Sequence, residues 1–171
     1  ALGLPELRRA IVAHYQKNYQ LDVAMERIVV TTGSSGGFML ALIAAFDPGQ
    51  RIGIGVPYYP AYRNMMIALG LEVVTIETGP KSRFQPTPEL LERAGKLDGL
   101  LICSPANPTG TMLRGPEFDA VVQYCEAHDI RVLSDEIYHG ITYGNAAETA
   151  LRYSSNAVVL NGFSKFFCMT G

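Results

Sequence analysis

At 171 residues, with 48% hydrophobic and 18% charged content, the chain has the make-up of one globular domain long enough to bury a core. Its net charge of −2 gives no reason to expect a nucleic-acid or anionic-membrane partner, and its apolar runs, such as Phe38 to Phe46, are too short to span a bilayer. Three cysteines, Cys103, Cys125 and Cys168, are odd in number and lack CxxC spacing. That argues against a disulfide framework and a zinc site, and for a reducing, cytoplasmic setting.

The opening ALGLPELRRA reads as a helix start, with Pro5 near its first turn, and not as a secretion leader. It carries no initiating methionine, so residues upstream are expected. RIVVTTG then predicts a first, β-branched strand closed by glycine, and SSGGFMLALIAAF a buried helix. RIGIGVP predicts a second strand, YPAYRNMMIALG a helix capped by Gly70, and LEVVTIET a third strand. A short helix follows Thr87-Pro88, and LDGLLICS is a fourth strand leading into the loop PANPTGTML. PEFDAVVQYCEAHD is a helix, IRVLSDE a fifth strand and NAVVLNG a sixth. Near-continuous apolar strands alternating with helices predict an α/β fold: an open, mostly parallel sheet with helices on both faces. Such sheets bind ligands at the carboxyl ends of their strands.

Five strand ends carry chemistry. In TTGSSGG, the glycines let the backbone approach a ligand, while Ser34, Ser35 and the helix N-terminus offer donors to a phosphate-sized anion. A plain helix-capping turn reads the same residues without a ligand. The spacing fits neither a Walker loop nor a dinucleotide fingerprint. In VPYYPAY, the tyrosines Tyr58, Tyr59 and Tyr62 crowd a rigid mouth and can stack on a flat ring or simply pack the loop. In CSPANPTG, Asn107 begins a turn and can also donate into a cleft. In VLSDEIY, Asp135 ends an apolar strand, where a buried carboxylate requires a cationic or hydrogen-bonded partner; Tyr138 lies three residues on. In NGFSKFFCMTG, Lys165 follows an apolar run and precedes aromatics. A desolvated lysine has a lowered pKa and acts as an amine nucleophile, whereas a snorkelling one keeps its head in water. Together the five describe a site for a small, flat, phosphorylated, aldehyde-bearing ring, which is pyridoxal phosphate. Asp135 would hold the pyridine nitrogen protonated, and Lys165 would form a Schiff base and shuttle a proton.

These stretches, in this order and over all 171 residues, resemble the fold-type-I, pyridoxal-phosphate-dependent aminotransferases of class I/II, the aspartate-aminotransferase-like group. The resemblance implies the following roles. Lys165 bonds the cofactor aldehyde, Asp135 pairs with the pyridine nitrogen, and Asn107 and Tyr138 contact the phenolic oxygen. Tyr59 stacks on the ring, and the phosphate is held at the Gly33, Ser34 and Ser35 turn and by Ser164. Gly162 stands where the aspartate-type subgroup has a phosphate-binding serine. Lys165, Asp135 and Tyr138 are the catalytic candidates; no metal is expected. The resemblance also implies a large cofactor-binding domain over 1–171, cut at both ends. A phosphate-binding arginine on an intervening antiparallel strand, a carboxylate-clamping arginine of a small substrate domain, and a tyrosine from the other subunit of a homodimer would lie outside these residues. The expected activity is transfer of an amino group between an amino acid and a 2-oxo acid, in amino-acid metabolism and biosynthesis. A carbon–sulfur β-lyase, a decarboxylase or the cofactor-sensing domain of a regulator uses the same cofactor residues, and the 171-residue piece by itself is expected to be inactive.

Overall fold

The computed structural model describes residues 2–170. Helix α1 (Pro5–Tyr19) is followed by α2 (Gly33–Ala45), then strand β1 (Arg51–Val56), α3 (Pro60–Ala68) and β2 (Glu72–Glu77). Helix α4 (Pro88–Ala94), β3 (Gly99–Cys103), α5 (Gly115–Ala127), β4 (Arg131–Asp135) and β5 (Val158–Leu160) complete the order. The strands form one sheet in the order β2-β1-β3-β4-β5, and every pair is parallel. The chain moves outward from β1 to β2 and then crosses back to β3, so its direction of travel reverses between β1 and β3.

Proline opens α1, α3, α4 and α5 within the first turn, where its missing N–H costs nothing. At α4 the Thr87 side chain also caps the Leu90 amide. Side chains alternate across the strands, so each face of the sheet has its own core. Leu100, Ile102 and Val132 pack with Leu91 of α4 and with Phe118, Val121 and Val122 of α5. Ile52, Ile54, Leu101 and Leu133 pack with Phe38 and Leu42 of α2 and Met66 of α3. Burying one such side chain contributes about 1.5–3 kcal/mol. Gly99 admits the close approach of α2, since a Cβ there would sit 2.4 Å from the Phe46 ring. Two of these features match the sequence expectation: a parallel sheet and helices on both faces.

The expected first strand is not formed. Residues 28–32 run without ladder pairing. Their backbone groups are engaged elsewhere: Arg8 donates from Nε to the Ile28 carbonyl at 3.0 Å, and Val30 N–H donates to the Leu2 carbonyl at 3.0 Å. Arg8 is itself buried and also bonds the Met25 carbonyl. The β-branched run is thus tied to α1 by a guanidinium instead of to the sheet by a ladder, and the sheet has five strands among the described residues.

Candidate active site at the strand ends

Strands β3, β4 and β5 finish in register, with Cys103 beside Asp135 and Asp135 beside Leu160. This places Asp135 in the middle of the sheet's carboxyl rim, at 7% exposure. Its Oδ2 accepts the Tyr62 hydroxyl and its Oδ1 accepts the Ile137 amide at 3.1 Å. Burial pushes its pKa up, and these two hydrogen bonds oppose the rise. The partner that a buried carboxylate requires is therefore a phenol and an amide, and no salt bridge reaches it among the described residues.

Tyr62 comes from the first turn of α3 and is buried, while Tyr59, at the N-cap of the same helix, is 44% exposed. The two rings meet edge to face, 5.5 Å apart at 83°. Tyr59 thus presents an open aromatic surface at the mouth, and Tyr62 reaches inward. A small cavity beside them, at the reversal between β1 and β3, is lined by Tyr58, Tyr62, Gln85, Cys103 and Asn107. The Asn107 loop is closed by Ala106 N–H to the Thr111 carbonyl and Gly110 N–H to the Ala106 carbonyl, both at 2.8 Å, with Gly110 at φ 68°. Buried Gln85 pins it from outside, donating to the carbonyls of Cys103 at 3.2 Å and Thr111 at 3.0 Å.

Gly33 opens α2 at φ 76°, a left-handed conformation that favours glycine, and Ser34 and Ser35 occupy the first turn. No side chain caps this N-terminus among the described residues; the Gly33 amide donates to the Thr31 carbonyl at 2.8 Å, and the Ser34 and Ser35 amides follow it in the uncapped first turn. The segment after β5 lies against it: a Cβ at Gly162 would stand 3.8 Å from that of Ser34. The same position has room, with its nearest neighbour at 3.7 Å, so packing does not impose glycine at 162. Ser164, half-buried, lies two residues further along this segment.

Lys165 departs from its apolar surroundings in sequence. It is exposed, in a bend beyond the three-residue edge strand β5, and its neighbours Phe166 and Phe167 are 48% and 45% exposed. No further strand flanks this side of β5 among the described residues. Its Nζ does lie toward the rim, 5.9 Å from the centroid of the half-buried Tyr138 ring, within cation–π range.

Below the rim is a layer that the motifs did not disclose. Glu136, adjacent to Asp135, is 0% exposed. Its Oε1 accepts from Ser134 Oγ at 3.0 Å, Thr149 Oγ1 at 3.1 Å and Ala150 N–H at 2.8 Å, while Oε2 has no hydrogen-bond partner. Burial pushes its pKa up to about 7. His139 Nδ1 is 3.7 Å from that orphaned oxygen. Its Nε2–H donates to the Ser104 carbonyl at 3.0 Å, which leaves Nδ1 to accept the Tyr19 hydroxyl at 2.8 Å. Burial pushes His139 down to about 4, so the imidazole is neutral. One histidine thereby ties the loops after β3 and β4 to helix α1. Only the acidic run at 135–136 signalled this layer.

Comparison with known proteins gives one answer throughout. The family model for aminotransferase class I and II matches residues 1–171. The chain is 51% identical over 174 residues to a valine–pyruvate aminotransferase of Mycobacterium tuberculosis, and 32% identical to an aspartate aminotransferase of Thermotoga maritima. It covers 45% and 46% of those proteins, and they cover 100% and 99% of it. Among solved structures, an aminotransferase from Mycobacterium tuberculosis superposes with a TM-score of 0.96 at 50% identity, over 99% of this chain and 47% of that one. The Thermus thermophilus aspartate aminotransferase with maleate gives 0.94 at 32% identity, over 99% and 45%. The chain thus spans a little under half the length of the relatives it matches, and it belongs to the class I and II aminotransferase family.

Proposed function

We propose that this chain is the cofactor-binding part of a pyridoxal-phosphate-dependent aminotransferase moving an amino group between an amino acid and a 2-oxo acid. The observation that carries the reading is Asp135, a carboxylate buried at the rim with hydrogen bonds and no salt bridge among the described residues. A protonated pyridine nitrogen is the partner that such a group suits. When bound, the cofactor would supply an electron sink that stabilises negative charge at the substrate α-carbon.

The chain's own residues divide the remaining work. Asp135 would hold the ring nitrogen protonated. The Gly33 turn, Ser34, Ser35 and Ser164 would bind the phosphate, through the uncapped first turn of α2 and the serine hydroxyls. Tyr59 would cover a ring face, and Asn107 and Tyr138 would donate to the ring oxygen. Lys165 Nζ would hold the cofactor's aldehyde carbon, and as a free amine it would move the proton at the substrate α-carbon. Tyr138, 5.9 Å beneath it, keeps the ammonium at the rim between these roles. The valine–pyruvate relative supports an aliphatic donor and a small 2-oxo acid acceptor. Exposed Leu40 and Ile43 on α2 support a homodimer, and three unpaired cysteines support a cytoplasmic setting.

The test is reduction with borohydride in the presence of pyridoxal phosphate, followed by peptide mapping. The label is expected on Lys165 and absent from Lys165→Ala. Single turnovers of the whole protein with valine should then release its 2-oxo acid and leave the aminated cofactor. Release of ammonia without the aminated cofactor would move the reading to a lyase.

A further inference from the structure

Asp135 meets α3 through one group. Tyr62 crosses from the first turn of that helix to Oδ2, and Oδ1 is occupied by the Ile137 amide of its own turn. The other titratable groups near it are Cys103 on β3 and Glu136 next in the chain, neither of which is a cation. Strand β5 offers only Leu160 in register. Proton directions around Tyr62 are set by acceptor strength. Cys103 Sγ, 3.6 Å from the Tyr62 oxygen, donates to the Pro105 carbonyl at 3.4 Å. Burial holds that thiol protonated, with a pKa pushed up to about 11, so it cannot serve as an anion for the phenol. The carboxylate is the stronger acceptor and takes the phenolic proton.

We propose that Tyr62 is a positioning residue for the site: its hydroxyl keeps Asp135 ionised and fixed in place before any cofactor arrives. A carboxylate in this position without the phenol would be left with one amide donor in a dry setting, and would hold a proton to higher pH. A neutral Asp135 cannot pair with a pyridinium. Tyr62 thus acts on the cofactor through Asp135 and not by touching it. The half of the proposal that concerns the cofactor rests on the reading above; the half that concerns Asp135 does not.

The two halves have separate readouts. In the cofactor-free chain, the carboxyl carbon of Asp135 is titrated by ¹³C NMR, with its signal assigned through Asp135→Asn. Tyr62→Phe should raise the midpoint by about one pH unit, as expected for losing a hydrogen bond to a charged group. Incorporation of 3-fluorotyrosine at 62 preserves shape while strengthening the donor, and should lower the midpoint even if the phenylalanine variant folds poorly. A midpoint unmoved by either change overturns the proposal. In the second arm, Tyr62→Phe should weaken pyridoxal phosphate binding about tenfold in the wild-type background and leave it unchanged in Asp135→Asn. Equal weakening in both backgrounds would mean that Tyr62 acts through packing alone, and would overturn its role through Asp135. If the unsubstituted protein binds no pyridoxal phosphate, the proposed function fails, while the NMR midpoint still decides the role of Tyr62.

Discussion

The ends of β4 and β5 lie side by side on one rim but are built in opposite ways. At the end of β4, Asp135 and Glu136 are buried and share five hydrogen bonds with backbone and hydroxyl groups. At the end of β5, Lys165 is exposed, with half-exposed aromatics after it and one ring beneath its amine. The two strand ends thus differ in how they treat charge: the carboxylates after β4 are enclosed and held by hydrogen bonds, and the lysine after β5 is open to solvent.

The contrast can be broken most forcefully at Glu136. Glu136→Ala should cost about 3 kcal/mol or more in urea unfolding, because it strands the Ser134 and Thr149 hydroxyls and the Ala150 amide inside the protein. A smaller, pH-dependent effect is expected from Glu136→Gln. Glu136 is raised from 4.5 to about 7, so its stabilisation is complete below the lower value and lost as pH rises through the upper one. His139 is lowered from 6.5 to about 4, so its stabilisation is complete above the upper value and lost as pH falls through the lower one. Between pH 4.5 and 6.5 the two slopes oppose each other and stability is nearly flat. Glu136→Gln removes one slope and exposes the other, so stability should rise with pH by up to about 1.4 kcal/mol per unit over that window. Chemical denaturation at a series of pH values measures it. The smallest effect belongs to the other strand end. Lys165→Ala should change stability by less than about 0.5 kcal/mol, since an exposed side chain is removed. A larger loss would show that the segment after β5 contributes to folding.

Much of this arrangement was legible in the residues. Apolar runs flanked by turn residues marked all five observed strands, and the rim positions of Asp135 and Asn107 followed from topology. What stayed hidden depended on partners distant in sequence. Residues 28–32 have every local feature of a strand, and only Arg8, 20 residues before Ile28, reveals where that carbonyl goes. Tyr62 was visible as an aromatic at a mouth, but its bond to Asp135 spans 73 residues and depends on α3 packing over the sheet. Glu136 was singled out by no motif. Its burial comes from the turn after β4, which ends the alternation of faces and directs the next side chain inward. For Lys165 the apolar run before it suggested a dry setting, whereas its side chain is exposed among the described residues.

The reversal of direction between β1 and β3 has a kinetic consequence. Strand β1 meets β2 through residues 21 apart, as at Arg51 and Glu72, but meets β3 through residues 47 apart, as at Arg51 and Asp98. Each doubling of a loop adds only about 0.6 kcal/mol of closure cost, so the longer crossover is a minor burden on equilibrium stability. Its weight falls on speed. A sheet made wholly of crossovers has few local contacts to nucleate on, and chains of this kind collect their structure over milliseconds to seconds. The cavity lined by Tyr62 and Asn107 sits across that longest closure. The pocket is therefore expected among the last parts of the chain to take shape during refolding, after the neighbouring β1–β2 unit has formed.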